Sequence, residues 1–575
     1  MFTQVTYRQL ERASRLHEGQ PLSIAVLGTA ATQRIAAALT GALNLRGFDT
    51  SCYDAGYNQV DAQILDPSSE LYAAAPDHIL LFFCIEKLLE DFRMEPLSAR
   101  TAFADKTAQK IQTYLHLIRN HLNCTVFLCD FPTVNDGVFG DYAYSQPASF
   151  PYQVRRLNFL LSEMAAADKA LRIVPLSEIL AQEGAAARDE RLYHAARMAF
   201  TDSATALLAQ RIANEIAILR GSLRKAVILD LDNTLWGGVI ADDGLEGIEL
   251  GELSDGRAFT ALQSWLLELR RRGIILAVCS KNDDANARLP FEKHPDMVLR
   301  MEDISVFTAN WNDKASNIAA IQQTLNIGFD AMVFLDDNPF EREQVKAVHP
   351  TVTVPDLPED PAERLSYLLS LNLFGTSSYS EEDGQRTAQY IAEAARVEAS
   401  KTFTDYNAYL ESLDMQAECM PFTPYWYERI AELSQRSNQF NLRTLRMTAA
   451  DVERYAQDEN YITRAFTLSD KFGNHGLISV VLLKRQDDGW FIENWFMSCR
   501  VLKRGMEQFI INHISDCVDG PLTAEYIPTK KNALVAELYP TLGFEEISRA
   551  DGAVQYRLPM PYTPIPTLIH VKEPQ

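Results

Sequence analysis

The sequence predicts a multidomain α/β protein whose central domain is an open parallel sheet with its functional site at the strand tips. Three observations lead there. At 575 residues the chain is too long for one hydrophobic core. Short apolar runs alternate with helical stretches over most of its length, the pattern of parallel strands joined by helices. Three of those runs end in polar groups, at Asp230, Ser280 and Asp336-Asp337, and open α/β sheets place their ligands at such ends.

Residues 1–220 read as a first α/β unit. Residues 22–27 form an apolar run closed by Gly28, and a helical stretch follows through Leu39 and Leu43. Residues 78–83 and 125–129 read as further buried strands, and 205–219 as a closing helix. The second unit, 221–355, starts with a buried strand at 226–229. Phe259, Leu262, Trp265, Leu266 and Leu269 then repeat at helical spacing, and Gly273 ends that helix. Strands at 274–278 and 331–335 complete the set. Residues 356–415 read as a helical connector, punctuated at its start by Pro355, Pro358 and Pro361. The last unit, 416–575, mixes helices with strands at 476–483 and 490–497. Its tail, with Pro559, Pro561, Pro564 and Pro566, reads as an extended arm.

Acidic residues outnumber basic ones, 77 to 54, for a net charge of −23. Such a field repels phosphate backbones and argues against nucleic acid as a general partner. The first residues lack the basic-then-apolar pattern of a signal peptide, and no apolar run is long enough to span a bilayer, so no membrane association is expected. Eight scattered cysteines without a Cys-x-x-Cys pair fit a reducing cytoplasm better than a zinc cage or a disulfide framework.

The carboxylates suggest phosphoryl transfer. That chemistry needs a carboxylate in line with phosphorus, a cation to neutralise the equatorial oxygens and an acid for the leaving group. Asp230 is the candidate nucleophile, and Asp232, two residues on, the candidate acid and base. Asp336, with Asp337 in support, would join Asp230 and Asp232 in a hard oxygen site for Mg²⁺. Ser280, Asn282 and Thr234 would hydrogen-bond the phosphoryl group, and Lys314 would stabilise the charge on it. Solvated acids at strand ends are common, but here a diacid, a hydroxyl, a lysine and a second diacid follow in order.

That order resembles the haloacid dehalogenase superfamily. The stretches Leu229-Asp-Leu-Asp-Asn-Thr-Leu-Trp-Gly-Gly-Val239, Cys279-Ser-Lys-Asn282, Asn310-Trp-Asn-Asp-Lys314 and Phe334-Leu-Asp-Asp-Asn-Pro-Phe-Glu341 resemble its FkbH-like branch, subfamily IIIC. The resemblance implies a central, capless, Rossmann-type sheet flanked by an SGNH-like α/β domain and a GNAT-like α+β domain. Only about 45 residues separate the first diacid from Ser280, which leaves no room for a large inserted cap. The segment from Gly237-Gly238 to Gly251 is expected to form a small hairpin flap instead.

The resemblance further implies a glyceryltransferase and phosphatase. It would take a phosphorylated three-carbon donor, 1,3-bisphosphoglycerate, remove phosphate and load a glyceryl unit onto an acyl carrier protein. Such units feed polyketide and related biosynthesis. An acidic carrier would need a local Lys/Arg patch on so acidic a chain. The alternatives are a plain Mg²⁺-dependent phosphatase with outer domains that only bind, and a non-catalytic docking scaffold. Arg436-Ser-Asn-Gln-Phe-Asn441, Gly473-Asn-His-Gly476, Met497-Ser-Cys-Arg500 and Pro528-Thr-Lys-Lys-Asn532 through to Gly543-Phe544 resemble the family's C-terminal part. There Cys499 would carry the acyl group, Arg500 and Arg504 would bind phosphate, and His475 is a candidate base. The turn 500–506 has one glycine where coenzyme A binders of the GNAT class have two, so a phosphopantetheine arm fits better. Cys279, ending an apolar strand, is expected to pack. In the N-terminal unit, Gly28-Thr-Ala-Ala31 and Thr201-Asp-Ser-Ala-Thr205 lack the serine and histidine of a working SGNH hydrolase, so that domain is expected to be inactive.

Overall fold

Runs of Val, Ile and Leu without polar interruption are stable as strands covered on both faces, and the computed structural model places them so. The structure describes residues 5–376, 396, 403, 405–550 and 552–572, and the chain divides into two units, 2–217 and 218–575.

In the first unit, β1 (Gln20–Gly28), β2 (Phe48–Tyr57), β3 (His78–Phe82), β4 (Thr125–Cys129) and β5 (Leu171–Val174) form a parallel sheet in the order β2-β1-β3-β4-β5. Alternate residues of neighbouring strands share a face, so Ala25 and Leu27, Ile79 and Leu81, and Val126 and Leu128 enter one core. Thr29 follows β1, and its hydroxyl accepts a hydrogen bond from the Cys84 backbone N–H at 2.8 Å. Burial, with Glu86 beside it, pushes the Cys84 thiol far up. Asp202, in the second place a hydrolase would use, is paired with Arg34.

In the second unit, β6 (Ala226–Leu229), β7 (Ile275–Ser280), β8 (Ile304–Ala309) and β9 (Met332–Leu335) form a parallel sheet in the order β8-β7-β6-β9. The sequence pattern did not suggest β8, because Ser305 and Thr308 interrupt its apolar run at the sheet edge. The helix Ser254–Arg271 buries Phe259, Leu262, Leu266 and Leu269, and Gly273 at φ 95° turns the chain into β7.

A second, larger sheet follows in the same unit. It comprises β10 (Gln416–Met420), β11 (Tyr461–Asp470), β12 (Gly473–Gln486), β13 (Gly489–Met497), β14 (Leu522–Tyr526), β15 (Glu545–Ala550), β16 (Ala553–Leu558) and β17 (His570–Val571). Their order is β15-β16-β14-β13-β12-β11-β10-β17. Pairing is antiparallel except between β13 and β14 and between β10 and β17. Of the helical connector expected over 356–415, the helix Pro361–Ser370 is seen, while 377–395, 397–402 and 404 lie outside the described residues. Among the described residues no helix is long and apolar enough to cross a membrane.

The tail corrects the expectation of an extended arm. Ile565, between Pro564 and Pro566, and Leu568 and Ile569 beyond them pack against the core of the large sheet, and β17 pairs with β10. Asn512, on the helix Met506–Ser515, donates to the Ile565 carbonyl at 2.8 Å. Its Oδ1 accepts from the Ile565 N–H and from the Tyr562 hydroxyl, both at 2.9 Å. Asn512→Ala removes all three bonds and is expected to cost about 2 kcal/mol. Hydrogen exchange should then speed up at the Ile565 and His570 amides while β12 and β13 stay protected.

Candidate active site

The C-terminal ends of β6, β7 and β9 converge, and the residues just beyond them build the site. Asp230 follows β6 and is buried. Lys314 is the first residue of the helix Lys314–Leu325, which starts after β8 with Asp313 as its cap. Its ammonium lies 2.9 Å from Asp230 Oδ1 and 2.6 Å from Asp336 Oδ2. Asp337, next along, offers a carboxylate oxygen to the same space, and one oxygen each of Asp230, Asp336 and Asp337 lie within 4.8 Å of one another. Thr234 reaches across to Asp337, donating to Oδ1 at 3.2 Å and accepting from its backbone N–H at 3.1 Å.

Three carboxylates against one ammonium leave two negative charges uncompensated in a buried space. Burial pushes the Asp230 carboxyl up against the pull of Lys314. Burial and the neighbouring Asp230 raise Asp336 to about 6, and burial and Asp336 raise Asp337. Burial works against the Lys314 charge, but the two carboxylates outweigh it and its pKa is raised. A pocket of hard oxygen donors with this charge deficit fits a divalent cation such as Mg²⁺.

Asp232 belongs to the site without joining the carboxylate trio. Its Oδ1 accepts from Trp236 Nε1 at 2.9 Å and from the Ile240 N–H at 3.0 Å, and its Oδ2 accepts from Asn282 Nδ2 at 3.0 Å. Any metal contact from this residue must come from its main chain, because its carboxylate is held elsewhere. Asn282 thus orients Asp232 while its Oδ1 accepts from the Asp283 N–H at 2.9 Å, and Thr234 orients Asp337. Ser280 ends β7 and is buried. Cys279 is fully buried in the core of this sheet, and burial pushes its thiol up to about 12.

The expected hairpin flap is a closed loop around a short helix. Gly237 and Glu249 exchange backbone hydrogen bonds at 3.1 and 2.9 Å, and the helix Ile240–Gly247 lies between them. Asp243 accepts from the Val239 N–H at 2.7 Å, which favours a helical start over a hairpin turn. Asn233, at φ 54°, accepts from the Gly238 N–H at 3.0 Å and folds the loop back over Asp232.

Three residues at the site were not foreseen. Arg342 donates to the carbonyls of Asp336 and Asp337 at 2.8 and 2.6 Å and fixes that strand tip. Arg364, from the connector, donates to the Asn233 carbonyl and partly opposes the burial that raises the Asp337 carboxyl. Trp236 orients Asp232. Only Trp236 carries a sequence signal, lying four residues beyond Asp232 within the first motif.

The other candidates lie elsewhere in the second unit. Cys499 is half-buried, packs against the core of the four-stranded sheet and accepts from Asn326 Nδ2 through its carbonyl at 2.5 Å. His475 Nε2 lies 3.0 Å from Asp470, which Arg396 grips with two bonds of 2.7 Å. Burial, with Arg396, Arg504 and Arg500 nearby, outweighs Asp470 and lowers His475 to about 4, so it is neutral at pH 7. Arg504 faces Asp470 and His475 from within, at 3.6 and 3.5 Å. Thr567 of the docked tail donates to the Gly505 carbonyl in the turn that would cradle a pyrophosphate.

A carboxyl whose folded pKa exceeds its unfolded value contributes stability that is fully present below the unfolded pKa, near 4, and lost as pH rises through the folded one, about 6 for Asp336. In chelator the second unit should therefore melt lower at pH 7.5 than at pH 5, and Mg²⁺ should abolish that difference. Lys314→Met should deepen it, since Asp230 and Asp336 lose the buried ammonium that bridges them. An unchanged melting profile in all three conditions would contradict this charge balance.

The family model described as FkbH, N-terminal domain, matches residues 23–217. Among solved structures, the N-terminal part of a Bacteroides fragilis protein, containing a phosphatase domain and complexed with Mg, is 42% identical to this chain. The match covers 65% of this chain and 100% of that one, with a TM-score of 0.63. Further matches include the ribosomal-protein-S18-alanine N-acetyltransferase of Escherichia coli, at 17% identity over 26% of this chain and 96% of that one, TM-score 0.20. A catalytic mutant of an acetylxylan esterase from Geobacillus stearothermophilus matches at 14% identity over 35% and 96%, TM-score 0.26. No curated protein sequence matches. With a relative 42% identical over its whole described length, the chain belongs to the FkbH-like family of the haloacid dehalogenase superfamily.

Proposed function

We propose that the protein is a Mg²⁺-dependent phosphatase of the aspartyl-phosphate type that also transfers a three-carbon acyl unit to a carrier protein. The observation that carries the first half is the buried Asp230–Lys314–Asp336 bridge with Asp337 beside it. The relative with Mg in its phosphatase domain supports the choice of metal.

Asp230 attacks phosphorus, and the bond from phosphorus to the leaving oxygen breaks. Asp232, held by Trp236, Ile240 and Asn282, gives that oxygen its proton. The same carboxylate then takes a proton from water, which attacks phosphorus and frees phosphate from Asp230. Lys314 neutralises charge on the phosphoryl oxygens and holds Asp230 and Asp336 apart from mutual repulsion. Asp230, Asp336 and Asp337 would hold the Mg²⁺, which supplies further neutralisation of those oxygens.

The second half rests on family likeness and on Cys499. A Cys499 thiolate would attack the acyl carbon of 1,3-bisphosphoglycerate, expelling phosphate from that carbon, and the thioester would pass to the thiol of a phosphopantetheine arm. The Asp230 site would remove the remaining phosphate ester. Cys499 lies beside the N-terminal ends of the strands whose C-terminal ends carry Asp230 and Asp336. Five residue steps along β6, about 16 Å, separate Lys225 at one end from Asp230 at the other.

Chelation should abolish phosphate release, and Mg²⁺ should restore it. Asp230→Asn should release none, while Asp232→Asn should slow release by about 10²–10⁴-fold. Cys499→Ala should lose transfer to the carrier and keep phosphate release, read by intact mass of the carrier after incubation with the donor. Transfer that survives Cys499→Ala would point to direct attack by the carrier thiol and leave the protein a phosphatase with binding domains.

A further inference from the structure

The seam between the two sheets of the second unit holds a cavity of about 290 Å³, remote from the phosphatase site. Its floor is the N-terminal edge of the four-stranded sheet, where Lys225, Ile275 and Ala331 precede or begin β6, β7 and β9. Its walls come from three of the four C-terminal motifs noted in the sequence: Arg436 to Phe440, Met497 to Arg500, and Lys530-Lys531. The fourth supports it from behind, since Arg500 donates to the His475 carbonyl at 3.4 Å.

The lining is strongly cationic on a chain whose net charge is −23. Lys225, Arg429, Arg436, Arg500, Lys530 and Lys531 face it, against Asp330 as the one lining carboxylate. Lys531 pairs with Asp330 at 2.5 Å, and Glu432 stands behind Arg429 and Arg436. The helix Tyr427–Arg436 ends here, and a helix C-terminus alone disfavours anions. Its last carbonyls, however, are already satisfied: Lys225 donates to Arg436 O at 2.7 Å, and Arg446 donates to Ser434 O and Ser437 O. Ser437 lines the same cavity and is 5% exposed, and its buried hydroxyl has no hydrogen-bond partner among the described residues. A buried hydroxyl left so is costly unless a ligand engages it.

We infer that this cavity is a second phosphate-recognition site, which binds a phosphate ester of small-molecule size beside Cys499. Converging Lys and Arg side chains with a hydroxyl donor suit phosphate oxygens, and the volume suits a short phosphorylated chain better than a whole dinucleotide-sized cofactor. The phosphate could be that of a small phosphorylated acid or the one that tethers a pantetheine arm. The site stands on its own geometry, whether or not Cys499 forms a thioester.

The test uses the full chain as Asp230→Asn in chelator, which removes metal from the phosphatase site. Inorganic phosphate, 3-phosphoglycerate, 4′-phosphopantetheine and unphosphorylated pantetheine are titrated by calorimetry. Saturable binding is expected for the phosphorylated probes only, and it should weaken about tenfold or more when Lys530→Gln and Lys531→Gln are added. Both lysines are exposed, a thermal melt checks that the variant folds, and Lys530→Arg with Lys531→Arg should restore binding. Ser437→Ala should weaken the same probes. Phosphopantetheine binding tighter than 3-phosphoglycerate identifies a carrier arm, and the reverse identifies a small phosphorylated acid. No saturable binding, binding that survives loss of the phosphate, or binding indifferent to the lysines would overturn the inference. The Mg²⁺-dependent phosphate release of the unmutated chain is assayed separately, so failure here and failure of the proposed function are told apart.

Discussion

The second unit is organised around one buried ammonium. Lys314 bridges Asp230 and Asp336, which arrive on different strands, and without it two carboxylates would face each other in a space that excludes water. Two unit charges about 4 Å apart at an effective dielectric near 20 interact by about 4 kcal/mol, a large share of a domain's net stability of about 5–15 kcal/mol. Strand order, the cap that starts the helix at Lys314 and the Arg342 clamp on the β9 tip all serve that alignment. Asp337 then leaves the balance short of positive charge, which is the opening for a divalent cation.

The same sheet separates two kinds of charge. Its C-terminal edge is acidic and buried, and its N-terminal edge forms the floor of a basic cavity beside Cys499. A parallel sheet makes this division naturally, since all its strand ends of one kind lie on one side.

Much of the acidic site was legible in the sequence because its ligands sit at the ends of short, fully apolar strands, where a change from Leu229 to Asp230 or from Leu335 to Asp336 has no packing explanation. The role of Lys314 follows from the same logic, as a helix start after a strand. What escaped was carried by residues distant in sequence: Arg364 reaches the Asp230 loop from the connector, and nothing local to it marks that contact. The basic cavity escaped for the same reason, being assembled from 225, 436–440, 497–500 and 530–531. The tail was misread because prolines dominate its composition, whereas Ile565, Leu568 and Ile569 decide its packing. The edge strand β8 was missed because its polar residues mask it.

The central claim is that Asp230 is the atom-donating nucleophile of a metal-dependent phosphoryl transfer. A crystal structure of the full chain grown with Mg²⁺ and beryllofluoride, a mimic of a phosphorylated aspartate, tests it directly. The account predicts beryllium bonded to an Asp230 carboxylate oxygen, Mg²⁺ contacting Asp230 and Asp336, and Lys314 turned towards fluoride. Beryllofluoride on any other side chain, or an Asp230 carboxylate left bare while Mg²⁺ is bound, would contradict it.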